Sequence, residues 1–174
     1  MLITSRARLL AFGSAVGVFG VPLLTRFAVA AQAADPADLD TLNSAIALER
    51  AGIKAYADAA HLLSPPVAAL AARFVADHTA HRDALIGAVR AAGAQPTDGI
   101  APIATPPLAN EHDALAFALV VEEKAASTYL SVIPDLKNRD LAGVAASILG
   151  VETTHVSTLA AALGTRVYAT GFVA

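Results

Sequence analysis

Apolar residues recur along most of this chain at helical spacing, and four stretches sustain it long enough to be helices. On the first, Ala45, Glu49, Ile53 and Tyr56 share a side; on the second, Phe74, His78, His81 and Leu85 do. On the third the shared side is Leu115, Leu119, Glu122, Ala126 and Tyr129, and on the fourth it is Ile148, Glu152, His155 and Leu159. No sustained run alternates apolar and polar residues as a strand would, so the pattern predicts an all-α chain. Each stripe is apolar except for a few acids, imidazoles and phenols.

Local punctuation sets the helix ends. Asp35 is a candidate N-cap with Pro36 at the first helical position, predicting a helix from about Pro36 to Leu63 that Ser64-Pro65-Pro66 stops. The second runs from about Pro66 to Ala92 and ends at Gly93. The third starts at Asn110, with Glu111 and Asp113 in its first turn, and ends near Ile133, before Pro134. The fourth runs from Asp135 or Arg139 to Leu163, with Gly164 as its stop.

The connections decide the topology. Very short turns join helices one and two, and helices three and four, so each pair is expected to be an antiparallel hairpin. Sixteen residues with four prolines separate Gly93 from Asn110. Extended, they reach ~50 Å, whereas a helix of about 27 residues is ~40 Å long. The linker can therefore cross the whole bundle. The expected architecture is a four-helix bundle of two antiparallel hairpins joined by one long crossover, the topology of ferritin-like folds.

The polar exceptions repeat. Glu49 precedes Tyr56 by seven residues, and Glu122 precedes Tyr129 by seven. His78 and His81 follow Glu49 at 29 and 32 residues; Glu152 and His155 follow Glu122 at 30 and 33. Each half thus offers a carboxylate, then two ligand-type residues spaced i, i+3. The chain has only five Glu and five His, and three of each fall at these positions. Burying carboxylates and imidazoles in apolar stripes is costly unless they are paired. Metal coordination accounts for all six together: Glu49, His78, His81, Glu122, Glu152 and His155. The plainer alternative is a bundle without metal, in which Glu and His satisfy one another. Tyr56 and Tyr129 are candidate hydrogen-bond donors to the ligand carboxylates, or equally core aromatics with backbone partners. Glu123 lies about 100° around the helix from Glu122 and is expected in solvent.

These residues carry a resemblance. Glu122 with Glu152-x-x-His155 looks like half of a ferritin-like di-iron carboxylate site. The chain from Asp35 to Leu163 resembles exported bacterial ferritin-like domain proteins, including the His81-Arg82-Asp83-Ala84-Leu85 ending of the second-helix motif. The family pattern is one Glu and then Glu-x-x-His in each half. The resemblance implies ligand roles for Glu49, His81, Glu122, Glu152 and His155, and two iron ions. His78 departs from it by standing where the family has a Glu that bridges two metals. A neutral imidazole offers one lone pair, so the expectation is one tightly held ion and a second held weakly.

Composition narrows the chemistry. There is no Cys, so any metal must be held by oxygen and imidazole, which suit Fe, Mn and Zn. Residues 1–33 read as an export signal, with Arg6 and Arg8, an apolar run from Leu9 to Leu24, and Ala31-Gln32-Ala33 before the cut. The alternative is a retained N-terminal anchor, though the run is short for a membrane span. The domain expectations are therefore a signal at 1–33, the bundle at 34–164 and a tail at 165–174, in a periplasmic or extracellular protein with no stable membrane span after cleavage. Removing Arg6, Arg8 and Arg26 leaves nine Lys and Arg against fifteen Asp and Glu, a net charge of −6. No basic patch remains, which argues against nucleic acid. The expected partners are metal ions, dioxygen or peroxide, with a second copy of the chain as a further candidate. Three functions follow: Fe-dependent ferroxidase or peroxide scavenging, Mn-dependent peroxide disproportionation, or an exported structural or stress module with a vestigial site.

Overall fold

The structure is a computed structural model, and residues 35–165 are described here. The expected signal at 1–33 and all but Thr165 of the expected tail lie outside these residues. Four helices carry the described chain: α1 Pro36–Ala59, α2 Pro65–Ala91, α3 Glu111–Val132 and α4 Arg139–Ala162. A single 3-10 turn, Ala60–Leu62, extends the end of α1. No strand occurs among the described residues. No described helix is long and apolar enough to cross a membrane.

The helix ends follow local chemistry. The Asp35 carboxylate accepts the Ala37 N–H at 2.9 Å, Asn110 accepts that of Asp113 at 3.0 Å, and Asn138 accepts that of Asp140 at 2.9 Å. Gly93 and Gly164 have φ of 75° and 67°, the left-handed conformation that ends a helix and favours glycine. Asn138 settles the start of α4 at Arg139. Ser64 departs from the pattern: its side chain makes no cap bond, and its N–H is taken instead by Glu111 of α3, at 2.5 Å.

α1 packs on α2 and α3 on α4, and the two hairpins meet chiefly through α1 and α3. The linker runs along α1 in the direction of its chain. Thr97 N–H donates to the Asn43 side chain, Ala101 N–H to the Ala47 carbonyl, and Arg50 reaches Asp98. Farther on, Ile103 and Leu108 pack against Ala55, Phe117 and Val121. The linker thus delivers α3 to the end where α1 stops, as the crossover topology requires.

One end is closed by an apolar cluster that includes Ile46, Val89, Leu141 and Tyr129; the other is built around Tyr56, Phe74 and Leu159. The polar residues of the four stripes lie between them. On α1 the inward residue after Glu49 is Gly52 rather than the expected Ile53, which is half-buried. A four-residue step overshoots the inward face here, and a three-residue step meets it.

Asp38 is the buried anchor of the far turn. It is 1% exposed, and its two oxygens accept the N–H groups of Lys137 at 2.8 Å and Asn138 at 2.9 Å. This ties the start of α1 to the start of α4. Asp38→Ala is expected to lower unfolding stability by about 3 kcal/mol, since it strands two backbone donors that a charged acceptor now satisfies. Urea denaturation followed by circular dichroism measures it; a loss below about 0.5 kcal/mol would mean that water replaces the carboxylate without cost.

Candidate metal centre

The six predicted residues converge. Glu49 comes from α1, His78 and His81 from α2, Glu122 from α3, and Glu152 and His155 from α4. Five are fully buried, and the His81 side chain is 12% exposed. Their ligand atoms form two overlapping tetrads: Glu49, His78, His81 and Glu152, and His78, Glu122, Glu152 and His155. Within each tetrad the atoms lie within 4.8 Å of one another. His78 and Glu152 belong to both. Glu123 is exposed, as its position around the helix predicts.

Each shared residue presents one atom to each side. His78 Nδ1 lies 2.8 Å from Glu49 Oε2, and its Nε2 lies 3.1 Å from Glu122 Oε1. Glu152 Oε1 is 3.1 Å from His81 Nδ1, and its Oε2 is 3.5 Å from His155 Nδ1. The last two distances are those of ion pairs without hydrogen-bond alignment. Both Glu152 oxygens and His81 Nδ1 have no hydrogen-bond partner. A buried acceptor left in this state costs about 1–3 kcal/mol.

The tyrosines are paired across the hairpins. Tyr56 Oη on α1 donates to Glu122 Oε1 on α3, and Tyr129 Oη on α3 donates to Glu49 Oε1 on α1, each at 2.5 Å. This decides between the two sequence readings: both phenols hold carboxylates of the cluster. Tyr129 leaves Glu49 Oε2 to face His78, whereas Tyr56 shares Glu122 Oε1 with His78 Nε2 and leaves Oε2 to His155.

Two contributors escaped the sequence reading. Asp77 of α2 sits 3.2 Å from His155 Nε2, holding the nitrogen that points out of the cluster while Nδ1 faces Glu122 Oε2 at 3.2 Å. Asp77 is half-exposed and lies off the inward stripe, one residue before His78, so helical periodicity could not single it out. Gly52 is the other. A Cβ built there would sit 3.2 Å from His78 Nε2 and Cε1. The His155 ring itself is stacked on Phe74, with centroids 3.9 Å apart.

Electrostatics couples the six. Burial pulls each imidazole toward neutrality, but the carboxylates outweigh it. His78 rises from 6.5 to about 11 through Glu122 and Glu49, His155 to about 10 through Glu122 and Glu152, and His81 to about 9 through Glu152 and Glu49. Burial alone would raise Glu49 and Glu122, yet both are held below the ordinary carboxylate value, Glu49 by His78 and His81 and Glu122 by His155 and His78. Tyr56 and Tyr129 are raised, by burial first and then by the carboxylates they bond. Without metal, imidazolium charge on the histidines offsets the carboxylates of Glu49 and Glu122.

The donor set fits a metal. Oxygen and imidazole ligands suit Fe, Mn and Zn, and the unsatisfied atoms of Glu152 and His81 lie on the sides that the other donors face. The family described as "Ferritin-like domain" matches residues 37–165. The chain belongs to this family. A crystal structure of a conserved hypothetical protein, rv2844, from Mycobacterium tuberculosis is similar with a TM-score of 0.68 and 25% identity, covering 78% of this chain and 96% of that one. A ferritin-like, diiron-carboxylate protein from Bacillus anthracis str. Ames is similar in fold, with a TM-score of 0.61 and 18% identity over 84% of this chain and 99% of that one. No curated protein matches.

Glu122→Ala removes a partner from Tyr56, His78 and His155 at once and is expected to cost about 3–5 kcal/mol, whereas Glu123→Ala should change stability by less than about 0.5 kcal/mol. Equal losses in urea melts would mean that the wrong glutamate had been placed in the cluster. The pH dependence has a definite sign. A raised imidazole pKa makes protons compete with metal, so affinity for Zn(II) should climb as pH rises from 6 toward 9, by roughly tenfold per pH unit for each proton displaced. Titration calorimetry in buffers of different ionisation enthalpy counts those protons; a flat affinity would place the imidazoles outside the coordination.

Proposed function

We propose that this ferritin-like protein binds divalent metal at the six-residue cluster, with room for two ions, and uses Fe(II) in redox chemistry with dioxygen or peroxide. The reading is ferroxidase or peroxide scavenging, in oxidative-stress or metal handling. The observation that carries it is the pair of tetrads sharing His78 and Glu152, with both Glu152 oxygens lacking a hydrogen bond. The fold likeness to a protein described as diiron-carboxylate supports the choice of iron. Bound iron would supply the electron transfer, which no side chain of the cluster can.

The chain's own residues do the rest. Glu49 and Glu122 would each bind through the oxygen that its tyrosine leaves free. Asp77 orients His155 so that Nδ1 faces inward. The burial of the cluster excludes bulk water. An apolar pocket lined by Tyr56, Leu70, Phe74, Leu115, Phe117 and Leu159 abuts it, and suits a small apolar oxidant such as dioxygen. Mn-dependent peroxide disproportionation is the second reading, favoured by a donor set with three imidazoles and only three carboxylates. Export to the periplasm or beyond is part of the proposal and rests on residues 1–33.

Binding to the folded state alone should raise the melting temperature, with a stabilisation of ~2.7 kcal/mol at a hundredfold excess of metal over its dissociation constant. Anaerobic reconstitution with Fe(II), Mn(II) or Zn(II), followed by thermal melting and metal analysis, tests it. A chain that no metal stabilises and that stays metal-free has a vestigial site. Peroxide turnover by Fe-loaded against Mn-loaded protein separates the two redox readings. Among single changes, Glu152→Ala should cost the most metal, because Glu152 serves both tetrads and, unlike His78, has both donor atoms free of hydrogen bonds. Greater metal loss from Glu49→Ala would show that the site holds one ion on the Glu49 side.

A further inference from the structure

His78 belongs to both tetrads, and a neutral imidazole has a lone pair for only one of them. The structure gives the ring an unusual placement for a side chain with one lone pair. Its two nitrogens face opposite tetrads: Nδ1 toward Glu49 Oε2 at 2.8 Å and Glu152 Oε1 at 3.7 Å, and Nε2 toward Glu122 Oε1 at 3.1 Å. His81 flanks it on the first side, edge-on at 6.3 Å between ring centroids, and His155 on the second at 5.6 Å. Neither nitrogen points to solvent, to a backbone carbonyl or to a carboxylate outside the cluster.

The ring is also accommodated by a residue chosen for absence of volume. Gly52 lies three residues after Glu49 on α1, and a Cβ there would meet Cε1, Nε2 and Cδ2 of His78 at 3.2 to 3.3 Å. That is closer than ordinary van der Waals contact, and it falls on one end of the ring. Glycine inside a helix costs about 0.5–1 kcal/mol relative to alanine. The close approach of the imidazole accounts for it.

We propose that His78 is the bridging ligand of a two-metal site, binding one ion through Nδ1 and the other through Nε2, with Gly52 as the positioning residue that admits the ring. This rests on the metal-binding reading above and replaces the expectation of one tight and one weak ion. The first ion would take Glu49, His81, Glu152 Oε1 and His78 Nδ1. The second would take Glu122, His155, Glu152 Oε2 and His78 Nε2. To serve both, the ring gives up both N–H protons to solvent and becomes an anion. Its charge and those of three carboxylates then sum to −4 and balance two divalent ions, with no added anion in a site that excludes water. Metal–nitrogen bonds of about 2 Å on each end of the ring put the ions about 6 Å apart, against about 3.5–4 Å in compact two-metal sites, so Glu152 would reach the two ions with oxygens turned to opposite sides rather than clamp a close pair.

The test is an anomalous-difference map from crystals of the full chain loaded with two equivalents of Zn(II). The expected result is two peaks more than about 5 Å apart, one on each nitrogen of His78. A single peak, or two peaks under about 4 Å apart with His78 on one alone, overturns the bridge while leaving metal binding intact. No bound zinc overturns both. The role of Gly52 is read separately in metal-free protein. Gly52→Ala should lower the melting temperature when His78 is present and raise it in a His78→Ala background, where the helix gains from alanine and nothing is crowded. In the Zn(II) titration, Gly52→Ala alone should weaken the second ion by tenfold or more. Effects of Gly52→Ala that are the same in both backgrounds, with an unchanged second ion, remove Gly52 from the site.

Discussion

Three carboxylates and three imidazoles share the dry centre of this bundle, and the rest of the molecule is arranged around satisfying them. Lone charges of this kind cannot be buried. They persist because each is matched by a group from another helix: Glu49 by Tyr129 and His78, Glu122 by Tyr56, His78 and His155. Removing any one partner leaves a buried charge behind. The cluster is therefore a strict constraint on helix register, since a slip by one residue on any helix turns its polar group by about 100° into an apolar layer.

That constraint is why so much of the fold can be read from the chain. Four apolar stripes with matched polar interruptions, short turns at Pro65 and Pro134, and a proline-rich linker leave few arrangements open. Asp35, Asn110, Gly93 and Gly164 mark their helix ends by the capping chemistry that identifies them in sequence. The six cluster residues were legible because they repeat at matched spacing. What was not legible depends on angles between helices. Asp77 reaches His155 from off the inward stripe. Asp38 bonds backbone groups a hundred residues away, a pairing that no local pattern encodes. The crossing of Tyr56 and Tyr129 to each other's half follows from how the hairpins face, and the chain alone gives only the two identical intervals.

The two halves are alike in plan and unequal in detail. Glu152 has no hydrogen bond of its own, whereas His78, its counterpart in the first half, is bonded on both sides. Burial without a hydrogen bond marks Glu152 as the part of the cluster least served by protein alone, and most altered by a cation. Gly52 has no matching glycine on α3, where Ala125 follows Glu122 by three residues, and position 152 carries a carboxylate rather than a ring.

The linker has a consequence for how many chains can share one bundle. Neither hairpin owns a complete set of partners, since Tyr56 serves Glu122 and Tyr129 serves Glu49. Two chains could exchange hairpins and rebuild the same centre twice, so the chemistry of the core does not choose between a closed monomer and an exchanged pair. The choice falls to the connection. A tether this long would leave the hairpins free to separate, but Asn43, Ala47 and Arg50 hold its first half against α1. Strapping the tether shortens its free length and raises the effective concentration of one hairpin about the other. The surface bonds of residues 97–101 thus favour self-assembly within a single chain over exchange between chains.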